Sequence, residues 1–363
     1  MNLNDIAIII PSLNPDEKFV RVVDGMRSVG FSRFIMVDDG SDSDHKGPFA
    51  QFCDKPGFTL LVHEVNLGKG QALKDAFRYV VENFPEIEGV ITIDGDGQHT
   101  PEDALKLAAR LKEKPNEITF GCRDFDQPGV PSRNKAGNKI TSKVFKWLFG
   151  MKLSDTQTGL RGFPRKYLMA FAADVEGTRF EYESNMLLYM HDNKIPFNEV
   201  PIQTLYIEEN KSSHFHPVKD SIRIYKPIIK KSTSLKYVLV ALISVVIDLF
   251  VFSILNKAFG GVKILALQTF LTTGLARIIS AVCNYAMNKK LVFNNKASVK
   301  QTGVKYLITA VCVYAASYFG CLGLFSLLKE GGAGLIRTLI KAVVDLVIFL
   351  LNYQIQKRWV FKK

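Results

Sequence analysis

Four apolar stretches in the last third of the chain, at about residues 237–255, 264–287, 306–328 and 335–355, constrain the fold most. Each is near the ~20 residues that a helix needs to cross a bilayer. The alternative is a set of buried core helices in a large soluble domain. The first 231 residues spread their charges as a soluble globular protein does, so a mean hydropathy near zero averages two unlike halves. At 363 residues two domains are expected, 1–231 and 232–363.

Basic residues mark three of the connections. Lys226, Lys230, Lys231 and Lys236 precede the first stretch, and Lys289, Lys290, Lys296, Lys300 and Lys305 separate the second from the third. Lys357, Arg358, Lys362 and Lys363 follow the fourth. The other two connections are short, contain glycine and are poorer in charge. Positive-inside bias then places both termini, the middle loop and the whole N-terminal half in the cytoplasm.

The apolar half also repeats itself. Asn284-Tyr285-x-x-Asn288-Lys289-Lys290-x-Val292-Phe293 returns as Asn352-Tyr353-x-x-Gln356-Lys357-Arg358-x-Val360-Phe361, and Lys236-Tyr237 returns as Lys305-Tyr306. Two helical hairpins of like orientation are expected, and this half is where a homo-oligomer would form. Arg277 and Asp345 each lie seven residues before the repeated asparagine, about 10 Å along a helix. Charges at such depth are costly, so the two are expected to pair. A hydrated path shared with Lys341 is the rival.

The N-terminal half is organised around Ile91-Thr92-Ile93-Asp94-Gly95-Asp96-Gly97-Gln98-His99. An apolar run that stops at polar groups reads as a buried parallel strand whose end lies at the carboxyl edge of a sheet. Open α/β sheets bind ligands at that edge. Asp94 and Asp96, with the oxygen of Gln98, can hold a hard divalent cation. The bland alternative is a polar turn after a strand.

Two further strands end in the same way. Ile6–Ser12 opens the chain, and Phe34–Val37 runs into Asp38-Asp39-Gly40-Ser41. Asn14-Pro15-Asp16-Glu17 starts a capped amphipathic helix. A strand from Thr59 to His63 leads to Asn66-Leu67-Gly68-Lys69-Gly70-Gln71-Ala72. That loop lacks the Walker A spacing, but its glycines admit a close ligand and Lys69 offers a cation. Pro101–Lys112 has helical spacing, and Ile118–Arg123 reads as another strand. Asp124–Ser132 reads as a loop that runs into Arg133 and Asn134, and Ser154–Phe163 as a tight loop around Asp155. Phe180-Glu181-Tyr182-Glu183 starts a helix.

Taken together, strand-Pro-x-x-Asn, Val-Asp-Asp-Gly-Ser, Asn-x-Gly-Lys-Gly and Asp-x-Asp-x-Gln-His resemble family 2 glycosyltransferases of the polyprenyl-phosphate branch, relatives of dolichol-phosphate mannose synthase. The match covers about residues 4–226. The repeated hairpins resemble GtrA-like membrane domains. The resemblance implies an α/β catalytic domain of GT-A fold, with a Rossmann-like mixed sheet, followed by an all-α domain of four transmembrane helices. It implies a nucleotide-sugar donor, with a leaning towards UDP-sugars, a polyprenyl (undecaprenyl) phosphate acceptor, and Mg2+ or Mn2+ on Asp94, Asp96 and Gln98.

Residue by residue, the resemblance assigns Pro11, Asn14, Asp39, Lys69, Asp94, Arg123, Ser213 and His214 to the nucleotide-sugar. Asp39 would read a ring N–H of the base. Ser132 and Arg133 would take the acceptor phosphate, which a guanidinium can fork. Asp96, Asp155 and Arg133 form the expected catalytic set. The sequence departs from the family at Asn14-Pro15-Asp16, where relatives carry Asn-Glu.

Other classes fit less well. The net charge of +12 comes without a nucleic-acid motif, and much of it lies beside the apolar stretches, as anionic headgroups would favour. The five cysteines show neither metal spacing nor a disulfide framework. The apolar run after Asn4 is too short for a signal peptide. Gln356-Lys357-Arg358-Trp359 is one residue short of the processive-synthase motif and follows a membrane stretch, so processivity is rejected. Two rivals stay open: a transferase acting on protein or glycan with the helices as anchor, and a lipid-linked-sugar binding or flipping component with a regulatory nucleotide half.

Overall fold

The computed structural model describes residues 2–127, 130, 132–203, 217–259, 265–326 and 334–362. The chain divides into two compact units, Met1–Ile228 and Ile229–Lys363.

The first unit is built on seven strands: β1 (Ile6–Ser12), β2 (Arg33–Asp38), β3 (Phe58–Val62), β4 (Gly89–Thr92), β5 (Ile118–Arg123), β6 (Arg161–Pro164) and β7 (Phe197–Ile202). Their order is β3-β2-β1-β4-β6-β5-β7. All run parallel except β6, which is antiparallel to both β4 and β5. Residues 6–10 are at most 2 % exposed, as a strand covered on both faces must be.

The helices are α1 (Glu17–Ser28), α2 (Gly47–Cys53), α3 (Lys69–Asn83), α4 (Pro101–Glu113), α5 (Ser132–Phe149), α6 (Arg165–Asp174), α7 (Glu181–Asp192) and α8 (Pro217–Lys231). Asp16 caps α1 by accepting from the Lys18 N–H, and Thr100 caps α4 by accepting from the Asp103 N–H. The chain steps outward from β1 to β2 to β3. Helix α3 then returns it to β4 on the opposite side of β1. The sheet therefore reverses direction between β1 and β4, where ligands bind in folds of this class.

Two stretches differ from the sequence reading. Arg161–Phe163 belongs to strand β6, because Thr92 and Thr119 offer it open ladders on either side. Ser132-Arg133-Asn134 is the start of an 18-residue helix, α5, and not the end of a loop.

The second unit holds α9 (Thr233–Ala258), α10 (Leu265–Met287), α11 (Val299–Ser326) and α12 (Gly334–Ile355). Among the described residues α9 alone is long and apolar enough to cross a bilayer, with mean hydropathy 2.9 over Thr233–Leu255. Only 11 % of that span is buried, so its apolar side chains face outward and need a solvent other than water.

The repeat in the sequence is also a repeat in structure. Asn288–Val292 and Gln356–Val360 form matching π-helical turns. Tyr306 donates to Asn284 Oδ1 at 2.8 Å, while Tyr237 contacts Asn352 Nδ2 at 3.0 Å and Gln356 Nε2 at 3.3 Å. Each tyrosine on the first helix of one hairpin therefore binds the second helix of the other. Phe293 and Phe361, equivalent in the repeat, stack at 5.0 Å.

The expected Arg277–Asp345 pair falls outside the described residues; among those described, Arg277 pairs with Asp248 on α9 at 3.5 Å. The side chains of Asp345 and Lys341 lie outside the described residues.

Candidate active site

The carboxyl edge of β4 brings its own carboxylates together with charged groups from α3 and α7. Beyond Thr92 the chain turns through Asp94, Gly95, Asp96 and Gly97, and the Asp96 carboxylate accepts from the Gln98 N–H at 3.0 Å. Lys69, the first residue of α3, places its ammonium 2.7 Å from Asp94 Oδ1 and 3.1 Å from Glu183 Oε1 on α7. One lysine is thus shared by two carboxylates.

Burial disfavours the charged form of each group here, and the neighbours decide the outcome. For Lys69, the Asp94 and Glu183 carboxylates outweigh burial and hold the ammonium charged well above its usual range. For Asp94, burial is outweighed by the Lys69 charge and hydrogen bond, so its carboxyl stays below the usual range. Among the described residues Asp96 makes no ion pair. Burial and then the Asp94 charge push it up to about 6. His99 is buried, and burial lowers it to about 4, so the imidazole is neutral at pH 7.

Gly159 is required by this arrangement. A Cβ at this position would fall within 2.6 Å of Asp94 Cγ and overlap its carboxylate. Gly159→Ala is therefore expected to push Asp94 off Lys69. Any activity that depends on this edge should fall about tenfold or more for the loss of one charge-assisted contact, with little change in thermal melting. Steady-state kinetics beside a melting curve checks this.

The other expected residues divide between open and occupied groups. Asp155 is completely buried, and Arg123 clamps it through Nε at 2.6 Å and Nη2 at 3.1 Å. The backbone N–H groups of Arg123, at 3.3 Å, and Gln157, at 3.0 Å, add two more bonds to Asp155. Asp39 accepts from the Leu67 N–H at 3.0 Å, the Gly68 N–H at 2.8 Å and meets His63 Nδ1 at 2.8 Å. It thereby pins the loop that delivers Lys69, with about one of its four lone-pair positions to spare. Asn14 sits at φ 50° and exchanges two hydrogen bonds with Asp42. Pro11 is buried within β1. Ser213, His214 and the side chains of Ser132 and Arg133 lie outside the described residues.

Two members of the site escaped the sequence reading. Glu183 was visible only as an acid in the first turn of a helix, and Gly159 only as a loop glycine. Neither carries a local signal of what it touches.

Residues 7–171 match the glycosyl transferase family 2 profile, and residues 236–361 match the GtrA/DPMS transmembrane domain. The chain joins a family 2 glycosyltransferase domain to a GtrA/DPMS transmembrane domain. It is 28 % identical over 219 residues to a UDP-N-acetylglucosamine–dolichyl-phosphate N-acetylglucosaminyltransferase of Methanococcus voltae, covering 56 % of this chain and 86 % of that protein. An undecaprenyl-phosphate 4-deoxy-4-formamido-L-arabinose transferase of Sodalis glossinidius is 22 % identical over 186 residues, 47 % of this chain and 52 % of that one. Glucosyl-3-phosphoglycerate synthase from Mycobacterium tuberculosis superposes with TM-score 0.46 at 14 % identity, over 62 % of this chain and 78 % of that chain. The glycosyltransferase domain thus supplies the mixed sheet and its acidic edge, and the transmembrane domain the four helices of the second unit.

Proposed function

We propose that this protein transfers one sugar from a nucleotide-sugar, in the family's manner a UDP-sugar, to a polyprenyl phosphate at the cytoplasmic membrane surface. The observation that carries the reading is the pair of carboxylates Asp94 and Asp96, with Lys69 bound to Asp94, at the switch point of the sheet. Relatives named for dolichyl or undecaprenyl phosphate support the acceptor class. The transmembrane domain supplies a reason for a lipid acceptor, and the basic connections favour several spans with both termini in the cytoplasm.

The residues at the edge suit a divalent cation. Among the described residues no three His, Cys, Asp or Glu side chains stand together to hold an ion unaided. Mg2+ does not require such a cage, since it is commonly bound by one or two carboxylates plus substrate phosphates. Asp94, Asp96 and the Gln98 amide form that kind of incomplete set, and burial and the Asp94 charge push Asp96 up to about 6, which a cation there would reverse. Mg2+ or Mn2+ bound there supplies charge neutralisation of the diphosphate leaving group.

This chain's own residues do the positioning. Lys69 sets a fixed cation next to the acidic edge, held by Glu183. Asp39 holds the Leu67-Gly68 turn and keeps one acceptor position for a base N–H. Asp155 orients Arg123 instead of meeting the sugar. The acceptor phosphate, with a second pKa of about 6, is largely dianionic at pH 7 and is itself the nucleophile. No strong general base is needed, and attack from the face opposite the leaving group inverts the anomeric carbon. Ser132 and Arg133 would hold that phosphate.

Purified protein incubated with radiolabelled nucleotide-sugars and a short polyprenyl phosphate should yield chloroform-extractable label from one donor. Label that appears only in protein or in water-soluble glycan would overturn the lipid acceptor. Arg133→Ala should raise the acceptor KM about tenfold to a hundredfold, as loss of a charge-assisted contact of roughly 1.5–3 kcal/mol requires. Donor affinity should stay fixed. A fall in nucleotide affinity with an unchanged acceptor KM would move Arg133 to the donor site.

A further inference from the structure

Lys69 bonds to two acids that belong to different parts of the first unit. Glu183 shares its frame. Helix α3 meets α7 so closely that a Cβ on Gly70, the residue after Lys69, would fall within 2.5 Å of the Cβ of Tyr182, the residue before Glu183. The Gln71 N–H donates to the Thr178 carbonyl at 2.9 Å across the same junction. The Glu183 carbonyl accepts from Arg161 Nη1 at 3.2 Å, and that buried guanidinium also donates to the Thr158 carbonyl at 2.8 Å. The backbones that carry Lys69 and Glu183 are therefore locked to each other.

Asp94 stands outside that frame, in the turn that follows β4. Its Oδ2 lies against Gly159, where a Cβ would overlap it, and its Oδ1 is the oxygen that Lys69 holds at 2.7 Å. A cation that reaches Asp94 meets one oxygen covered by backbone and the other already bonded to an ammonium. Two positive charges at one carboxylate oxygen repel, so an ion and Lys69 compete for it. The lysine can yield, because its charge is compact, sits on a flexible stem and carries three donors. Glu183, 3.1 Å from the ammonium, gives it a second place to stay.

We infer that Glu183 is a positioning residue for a lysine exchange: a divalent cation takes Asp94 from Lys69, and Glu183 keeps the released ammonium beside the edge, where the diphosphate arrives. Given the divalent-cation site proposed above, on which this rests, the ion and the lysine do not hold Asp94 together, and Glu183 decides where the ammonium goes. A neutral side chain at position 183 would leave Lys69 with Asp94 alone, and an ion would then have to strip the lysine of its last partner.

Mn2+ binding to the full-length protein in detergent, read as loss of the free-ion EPR signal, tests the exchange without turnover. Lys69→Met should bind Mn2+ about tenfold or more tighter than wild type, as removal of one competing charge-assisted contact requires. Glu183→Gln should bind it about tenfold weaker, because Lys69 then stays on Asp94. In the Lys69→Met background Glu183→Gln should change the affinity by less than about twofold, since no ammonium is left to hold. If Lys69→Met does not fold with two acids unpaired, Lys69→Gln, which can still donate to both, completes the same cycle. An equal loss from Glu183→Gln in both backgrounds would mean that Glu183 acts on the ion by charge alone, and would overturn the exchange. Mn2+ affinity in Lys69→Met at or below that of wild type would overturn it too, since the lysine would not be a competitor. Either result with Mn2+ still bound leaves the cation site standing, whereas Mn2+ bound by none of these proteins would remove the cation site and the exchange with it.

Discussion

Asp96→Ala is expected to reduce sugar transfer by about a hundredfold or more while the protein melts at the same or a higher temperature. The two effects have one cause. A carboxyl raised to about 6 from 3.8 is a group whose ionised form the fold disfavours at pH 7. Folding therefore gains where that charge is removed, because the burial penalty and the repulsion from Asp94 go with it. Activity moves the other way, since loss of an electrostatic group aimed at the leaving diphosphate typically costs 10²–10³ in rate. Excess chelator should silence the wild type, and Mg2+ or Mn2+ should restore it. Full activity in chelator, or a marked drop in melting temperature in Asp96→Ala, would remove the acidic edge from the reaction.

Arg123→Ala is expected to have the largest effect on stability. Asp155 is fully buried, and its Arg123 partner is 14 % exposed. Removing one member of such a pair leaves a buried charge without its counter-ion, at a cost of about 3–5 kcal/mol. For a unit of this size each kcal/mol lowers Tm by about 2–4 °C, so a fall of roughly 6–20 °C is expected by calorimetry. Arg123→Leu combined with Asp155→Leu should recover most of it, because apolar groups of similar volume often replace a buried pair without loss. The double variant also tests the assignment of Arg123 to the donor. A stable protein with normal nucleotide affinity would confine the pair to scaffolding; a stable protein with weakened affinity would keep Arg123 at the donor.

Strands whose residues all point into apolar surroundings were legible without the fold. Ile6–Ser12 and Ile118–Arg123 have the bounds that their composition suggested. The capped start of α1 at Asn14-Pro15-Asp16-Glu17 was legible from its local residues, and α4 from the apolar spacing of Pro101–Lys112, while the Thr100 cap appeared only in the structure. Strand β6 was not. Four residues containing an arginine, a glycine and a proline have no strand periodicity, and they are extended because β4 and β5 leave a gap of one strand between them. Helix α5 was hidden by the opposite problem: its outer face carries Trp147 and Ile140 among lysines, which blurs the pattern of a helix packed on one side.

What the sequence determined by itself was chemistry that depends on near neighbours: an acidic edge at Asp94 and Asp96, glycines where a ligand must approach, apolar stretches of membrane length, and a repeat between Asn284 and Asn352. Tertiary structure decided the partners. Lys69 and Asp94 lie 25 residues apart and Glu183 a further 89 on, yet one ammonium serves both acids. Within the second unit, Arg277 found Asp248 on the preceding helix, an acid that the repeat did not point to. The physical reason is the short reach of charge pairing. A salt bridge acts over a few ångströms, so which of several acids answers a given base is set by the packing of elements and not by spacing along the chain.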